Sequence, residues 1–172
     1  MTGRTGTGGW RALAALALAA TVSVACDDGG GSPTAPTGTS TTVTQALTVA
    51  LEQAINDEYR AETTYQGVVA DFGQVLPFVN VLTAEERHSA AIARLYANRG
   101  LTAPPNPFTV AGVPHFATLT AACAAAASAE RANIALYDGL LAGVLPTDVR
   151  QVFTNNRAAS VDNHLPAFLR CS

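Results

Sequence analysis

Apolar residues recur at steps of three and four along most of this chain, and no stretch alternates with period two over a convincing length. Four amphipathic helices follow from that pattern. The first is predicted from about Val43 to Asp71, with Leu47, Leu51, Ile55, Glu58, Glu62, Tyr65, Val69 and Phe72 on its inward stripe and Gly73 as its stop. The second runs from about Pro77 to Asn98 and carries Phe78, Leu82, Glu85, His88, Ile92 and Leu95, with Pro77 suited to a first turn and Arg99-Gly100 reading as the end. Leu101 to His115 holds Pro104, Pro105, Pro107 and Pro114 and reads as a surface connection. The third helix, about Ala117 to Leu141, places Leu119, Cys123, Ala126, Glu130, Asn133, Tyr137 and Leu141 on one face. The fourth, about Thr147 to Leu169, places Val149, Phe153, Ser160 or Val161, His164, Phe168 and Cys171 inward, and Pro166 should kink or loosen its last turns. The pattern predicts an all-α, antiparallel four-helix bundle with mostly short connections.

The chain also repeats itself. With the first and third helices aligned on Glu58 and Glu130, Tyr65 falls on Tyr137 and Gly67 on Gly139. With the second and fourth aligned on His88 and His164, Ala91 falls on Ala167 and Arg94 on Arg170. Two helix-pair repeats are the result. The matched polar residues lie on stripes that are otherwise apolar, where a carboxylate is almost never buried unless it is paired or coordinating.

Glu85 and His88 form Glu-x-x-His, which puts a carboxylate and an imidazole one turn apart on one helix face. Four-helix carboxylate proteins build di-iron and di-manganese sites from two such motifs and a lone Glu on each of the other two helices. Glu58, Glu85, His88, Glu130 and His164 are therefore candidate metal ligands; Tyr65 and Tyr137 are placed either to hydrogen-bond them or, as is commoner for such residues, simply to pack the core. The competing reading is a buried network in which the tyrosines and an Arg satisfy the carboxylates without metal. Carboxylate and imidazole donors suit iron, manganese or zinc alike.

The segments Asn56-Asp57-Glu58-Tyr59, Ala84-Glu85-Glu86-Arg87-His88, Ala129-Glu130-Arg131-Ala132-Asn133 and Ala159-Ser160-Val161-Asp162-Asn163-His164-Leu165-Pro166-Ala167-Phe168 resemble the ferritin-like family catalogued as domain of unknown function 2202. The resemblance covers about residues 44–170. It implies a ferritin-like bundle related to rubrerythrins and bacterioferritins. By analogy with rubrerythrin-type sites, Glu58 and Glu130 would be the lone helix ligands, Glu85 with His88 the first Glu-x-x-His, and His164 the second histidine. The chain departs from that pattern at Val161, where the second Glu should stand, and Asp162 points off the ligand face. Glu62, one turn beyond Glu58, is the carboxylate that could replace it. Three clear carboxylates and two histidines are left, enough for a lopsided di-iron site with one weakly held ion or for a single metal.

The chain of 172 residues divides into a folded part, residues 44–172, and two leading segments. Residues 1–25 have Arg4 and Arg11 before the apolar run Ala12 to Ala20 and small residues up to Cys26, the features of a secretory signal. The run ending on Cys26 resembles a bacterial lipobox, with Ser23 where an aliphatic residue is usual, so Cys26 is the expected lipidation site and ordinary signal cleavage the other reading. Residues 26–43, rich in Gly, Ser, Thr and Pro, read as a flexible tether. Export to the cell envelope, facing the periplasm or the exterior on a lipid anchor, is the expected localisation, and the membrane the expected partner.

Without Arg4 and Arg11, eight basic residues face thirteen acidic ones and no Lys is present, a balance that argues against nucleic acid. Cys123 lies seven residues before Glu130 and Cys171 seven after His164. In antiparallel helices with level ligands the two thiols reach one end of the bundle, as a disulfide or as two buried thiols. His115 reads as a surface residue. No Cys-x-x-Cys supplies an electron-transfer module, so redox turnover needs an external electron donor. Iron oxidation or peroxide reduction is the chemistry this constellation points to, with a non-catalytic envelope binding or structural module as the alternative that Val161 favours.

Overall fold

The computed structural model describes residues 39–171. The expected signal at 1–25, the lipidation site Cys26 and most of the tether at 26–43 lie outside the described residues. Helix α1 spans Thr39–Phe72, α2 Phe78–Ala97, α3 Leu119–Leu141, α4 Thr147–Ala159 and α5 Leu165–Cys171. A 3-10 turn, Val110–Gly112, interrupts the connection between α2 and α3. No strand occurs among the described residues, and no described helix is long and apolar enough to cross a membrane.

Helix ends follow local chemistry. Gly73 and Gly100 take positive φ after α1 and α2, a conformation a Cβ would strain. The hydroxyl of Thr118 accepts from the Ala121 amide at 3.1 Å, which caps α3 at Leu119 rather than at the predicted Ala117. Helix α1 starts at Thr39, ahead of the predicted Val43, so the last tether residues join the helix. Beyond α3, the Arg150 guanidinium donates to the carbonyls of Leu141 and Gly143, which are free acceptors at a helix end.

The predicted fourth helix is three pieces. Between α4 and α5, residues Ser160–His164 form a single π turn in which the Leu165 amide reaches the Ser160 carbonyl. Pro166 lies just beyond it and has no N–H to give the preceding turn. The chain absorbs this by widening the helix there instead of breaking it. The wider turn sets both Ser160 and His164 inward, along with Asn156 before them and Phe168 after them.

The interior is two apolar clusters with a polar layer between them. Leu51, Ile55, Ile92, Tyr137, Val149 and Phe153 belong to the first. Tyr65, Val68, Phe78, Ala126, Cys123 and Phe168 belong to the second, where the rings of Tyr65, Phe78 and Phe168 meet edge-on or tilted with centroids 5.0–5.6 Å apart. Cys123 and Cys171 are joined as a disulfide beside this second cluster, with Cα atoms 5.8 Å apart. Each long helical stretch contributes to both clusters and carries its Glu or His between them.

The long connection follows α1. The Tyr59 hydroxyl donates to the Pro104 carbonyl at 3.2 Å, and Asn106 donates to the Thr63 hydroxyl at 3.0 Å. Val113 lies against Gly67, and His115 pairs with Asp71 at 2.6 Å. Residue numbers rise together on both strands of this contact, so the connection travels up α1 before α3 begins.

Candidate metal centre

Five side chains meet in the polar layer, one or two from each helical stretch: Glu58 from α1, Glu85 and His88 from α2, Glu130 from α3 and His164 from the π turn. Four of them are at most 4% exposed, and His88 is half-buried. They form two groups whose donor atoms lie within 4.8 Å of one another, Glu58 with Glu85 and His88, and Glu85 with Glu130 and His164. Glu85 belongs to both. Its Oε2 is 2.9 Å from His88 Nδ1, and its Oε1 is 3.0 Å from His164 Nδ1. Each histidine also faces its own outer carboxylate at 3.4 Å, His88 with Glu58 Oε2 and His164 with Glu130 Oε2. The imidazoles stack with centroids 5.5 Å apart.

The outer carboxylates are held in matching ways. Tyr65 of α1 donates to Glu130 Oε1 on α3 at 2.7 Å, and Tyr137 of α3 donates to Glu58 Oε1 on α1. The tyrosine of α1 thus serves the glutamate of α3, and the tyrosine of α3 the glutamate of α1. In both cases Oε1 takes the phenol and Oε2 turns toward a histidine. Glu58 Oε2, Glu130 Oε2 and His164 Nδ1 are buried without a hydrogen bond. These atoms are near enough to partners to feel their charge but are not aligned for a proton to be shared. Unmade hydrogen bonds at buried polar atoms are costly. A cation at the common focus of each group would satisfy all three, so the donor set fits a metal pair.

Burial and charge act strongly on this cluster. Burial, with the Glu85 charge beside it, pushes the Glu58 carboxyl up to about 7. Burial works against charge on His88, but the carboxylates of Glu58 and Glu85 outweigh it and raise the ring to about 10. His164 is raised to about 9 by Glu130 and Glu85 against the same opposition. For Glu85 burial raises the pKa, yet the close approach of the His164 and His88 imidazoles outweighs it and lowers it. Burial and the adjoining carboxylates keep both tyrosines protonated, well above the usual phenol range. Without metal the cluster therefore keeps its histidines charged against its carboxylates.

Every predicted ligand except Glu62 falls in one of the two groups. The Glu62 carboxylate accepts from the Ser89 hydroxyl at 3.1 Å and takes no part in either group, because the turn from Glu58 to Glu62 carries it toward the α2 surface. Nothing replaces the carboxylate missing at Val161. Asp162 is exposed, as its spacing implied, and so is His115. The arrangement is less lopsided than the sequence suggested, since a single shared carboxylate serves two matching halves.

Four polar residues in and beside the layer were not among the predicted site residues. Asn156 donates to Glu58 Oε1 at 3.2 Å and to the Tyr137 oxygen at 3.1 Å. The Ser160 hydroxyl donates to Asn133, whose amide donates in turn to Asp57. Asn156 stands three residues after Phe153 and four before Ser160, so its place on the stripe was open to view. Asp57 gave no such signal. No family model, no curated protein and no solved structure matches this chain.

Proposed function

We propose that this chain is a ferritin-like metal protein of the cell envelope, exported, lipid-anchored through Cys26, and holding two metal ions, iron first among the candidates. Glu58 and His88 would hold one ion, Glu130 and His164 the other, with Glu85 between them. The observation that carries the reading is the convergence of five buried donors that leaves Glu58 Oε2, Glu130 Oε2 and His164 Nδ1 without hydrogen bonds. The ferritin-like path has independent support in the order in which the helices meet the two apolar clusters. Along α1 and along α4 to α5 the first cluster comes before the second, whereas along α2 and α3 the order is reversed. Neighbours in sequence would then be antiparallel within each helix pair, and the connection that climbs α1 would return the chain between the pairs.

Bound iron would supply one-electron redox chemistry, suited to oxidising ferrous ions or reducing peroxide with an external electron donor. The chain's own contribution is positional. Tyr65 and Tyr137 fix one oxygen of each outer carboxylate and leave the other free to coordinate. Glu85 presents one oxygen to each half. The two apolar clusters cover the layer on either side, and their low polarity strengthens the charge interactions within it.

A non-catalytic binding or structural module is the second reading. Val161 in place of a carboxylate favours it, as do the short contacts from Glu85 to both histidines, which balance charge without metal. Elemental analysis of the purified protein after ferrous loading separates the two. The metal reading expects about two ions per chain in the parent and almost none in Glu85→Ala. Peroxide consumption or ferrous oxidation should disappear in the same variant. Metal content below about one-tenth of an ion per chain would leave only the second reading.

A further inference from the structure

We infer that the Glu130 half of the layer opens on a pocket for an apolar organic substrate, a hydrocarbon chain or ring seated between α1, α3 and the long connection. The substrate role rests on the two-metal reading above, whereas the pocket itself does not.

A cavity of about 400 Å³ reaches from the protein surface to the polar layer. Tyr65, Glu85 and Glu130 form its floor, and Phe108, Val113 and Phe116 of the connection form its roof. The α3 wall is Ala122, Ala125, Ala126, Ala129 and Ala132, so small side chains leave the space open along nearly three turns of helix. A peroxide or an iron ion needs little more room than a water, which takes about 30 Å³ of liquid volume. The cavity instead falls in the range of small-molecule sites, roughly 300–1,000 Å³, and has their character of apolar walls with a few convergent polar groups.

Two observations tie this space to the metal layer. Glu130, only 2% exposed, lines it and has an oxygen without a hydrogen bond. The matching Glu58 lines no such space, since Asn156 and Tyr137 both close on its Oε1. The roof is also built in. A Cβ on Gly67 would come within 3.2 Å of a Val113 methyl, so the glycine lets the connection settle close to α1. At the mouth, the exposed Arg60 guanidinium lies 5.2 Å from the Phe108 ring centre, a cation–π contact that steadies the edge of the roof.

Calorimetric titration with decanoate, below its micellar concentration, tests the assignment on both metal-free and iron-loaded protein. Ala125→Leu and Ala129→Leu serve as blocking variants, because both positions tolerate a good helix former and neither holds metal. One decanoate per chain is expected, bound at least tenfold more weakly by each variant, with iron content unaltered. Saturating decanoate should also shift the absorption spectrum of the iron-loaded protein, since Glu130 borders both sites. No decanoate uptake, or uptake that both variants leave unchanged, overturns the pocket. A spectrum untouched at saturation overturns the substrate role. A protein that binds decanoate but no iron keeps the pocket and rejects the metal reading, and one that binds iron but no decanoate does the reverse.

Discussion

Glu58 with His88 and Glu130 with His164 are the same device made twice, yet their surroundings differ. Each half has an outer glutamate on α1 or α3 held by a tyrosine from the other of those two helices, a histidine at 3.4 Å from that glutamate, and one oxygen of Glu85. The Glu58 carboxylate is closed over by Asn156 and Tyr137, while His88 borders a separate cavity that it shares with His164. The Glu130 half has no second amide on its carboxylate and borders a cavity walled by alanines. On the metal reading proposed above, duplicated donors with unequal surroundings would let one half be structural while the other met a substrate. Glu85 links the two halves through its two oxygens.

The largest effect belongs to Glu85. Replacing it with Ala should abolish binding at both halves, whereas His88→Ala or His164→Ala should remove one ion and spare most of the other. Elemental analysis of the three variants reads this directly. Equal losses in all three would mean that the halves are not separable.

Next comes pH. His88 and His164 are raised from the ordinary 6.5 to about 10 and about 9. Groups raised in the folded state contribute stability that is complete below the unfolded pKa and is lost as pH climbs through the folded one. The metal-free protein should therefore lose thermal stability between pH 7 and 10. Glu58, raised from 4.5 to about 7, gives up its contribution earlier, between those two values. Metal reverses the trend, because it needs the histidines deprotonated and binds more tightly as pH rises. Melting curves of both forms across this window should converge at low pH and separate at high pH. A metal-free melting temperature that rises toward pH 10 contradicts the charge arrangement described.

The disulfide acts on the second cluster, beneath the Glu130 half. It joins residues 48 apart, and Cys171→Ser should cost about 2–4 kcal/mol in denaturant unfolding. On the other side, Asn156→Ala removes the donor that closes the Glu58 half and should cost about 1–3 kcal/mol. If Asn156→Ala left stability unchanged, the Glu58 half would not depend on that amide.

The smallest effect compares Gly67 with Gly139, which occupy matching repeat positions. Nothing lies within 4 Å of a Cβ built on Gly139, so Gly139→Ala should stabilise α3 by about 0.5–1 kcal/mol. Gly67→Ala would press on Val113 and should gain less or lose stability. Equal gains would show that the roof yields freely.

Much of this was legible in the chain. Steps of three and four located the helical stretches, and buried-looking acids on apolar stripes picked out Glu58, Glu85 and Glu130, because a carboxylate inside needs a reason. The stripe of the fourth helix offered Ser160 or Val161 for one slot, and that ambiguity marks the extra residue taken up by the π turn. The division of Glu85 between two groups was not legible, since it depends on where four separate helices place their atoms. Val161 therefore read as a break in symmetry, although the missing carboxylate leaves two equivalent groups around the one that remains. Glu62 misled for a similar reason: spacing along one helix says nothing about Ser89 waiting on the next. The cavity was hidden in an alanine run that reads in sequence only as good helix former.

Anomalous diffraction from crystals grown with ferrous iron tests the central claim most directly. The account predicts two iron peaks, one beside Glu58 and His88 and one beside Glu130 and His164, with Glu85 touching both. Absence of any peak in this layer, or a single peak that Glu85 does not touch, would contradict it.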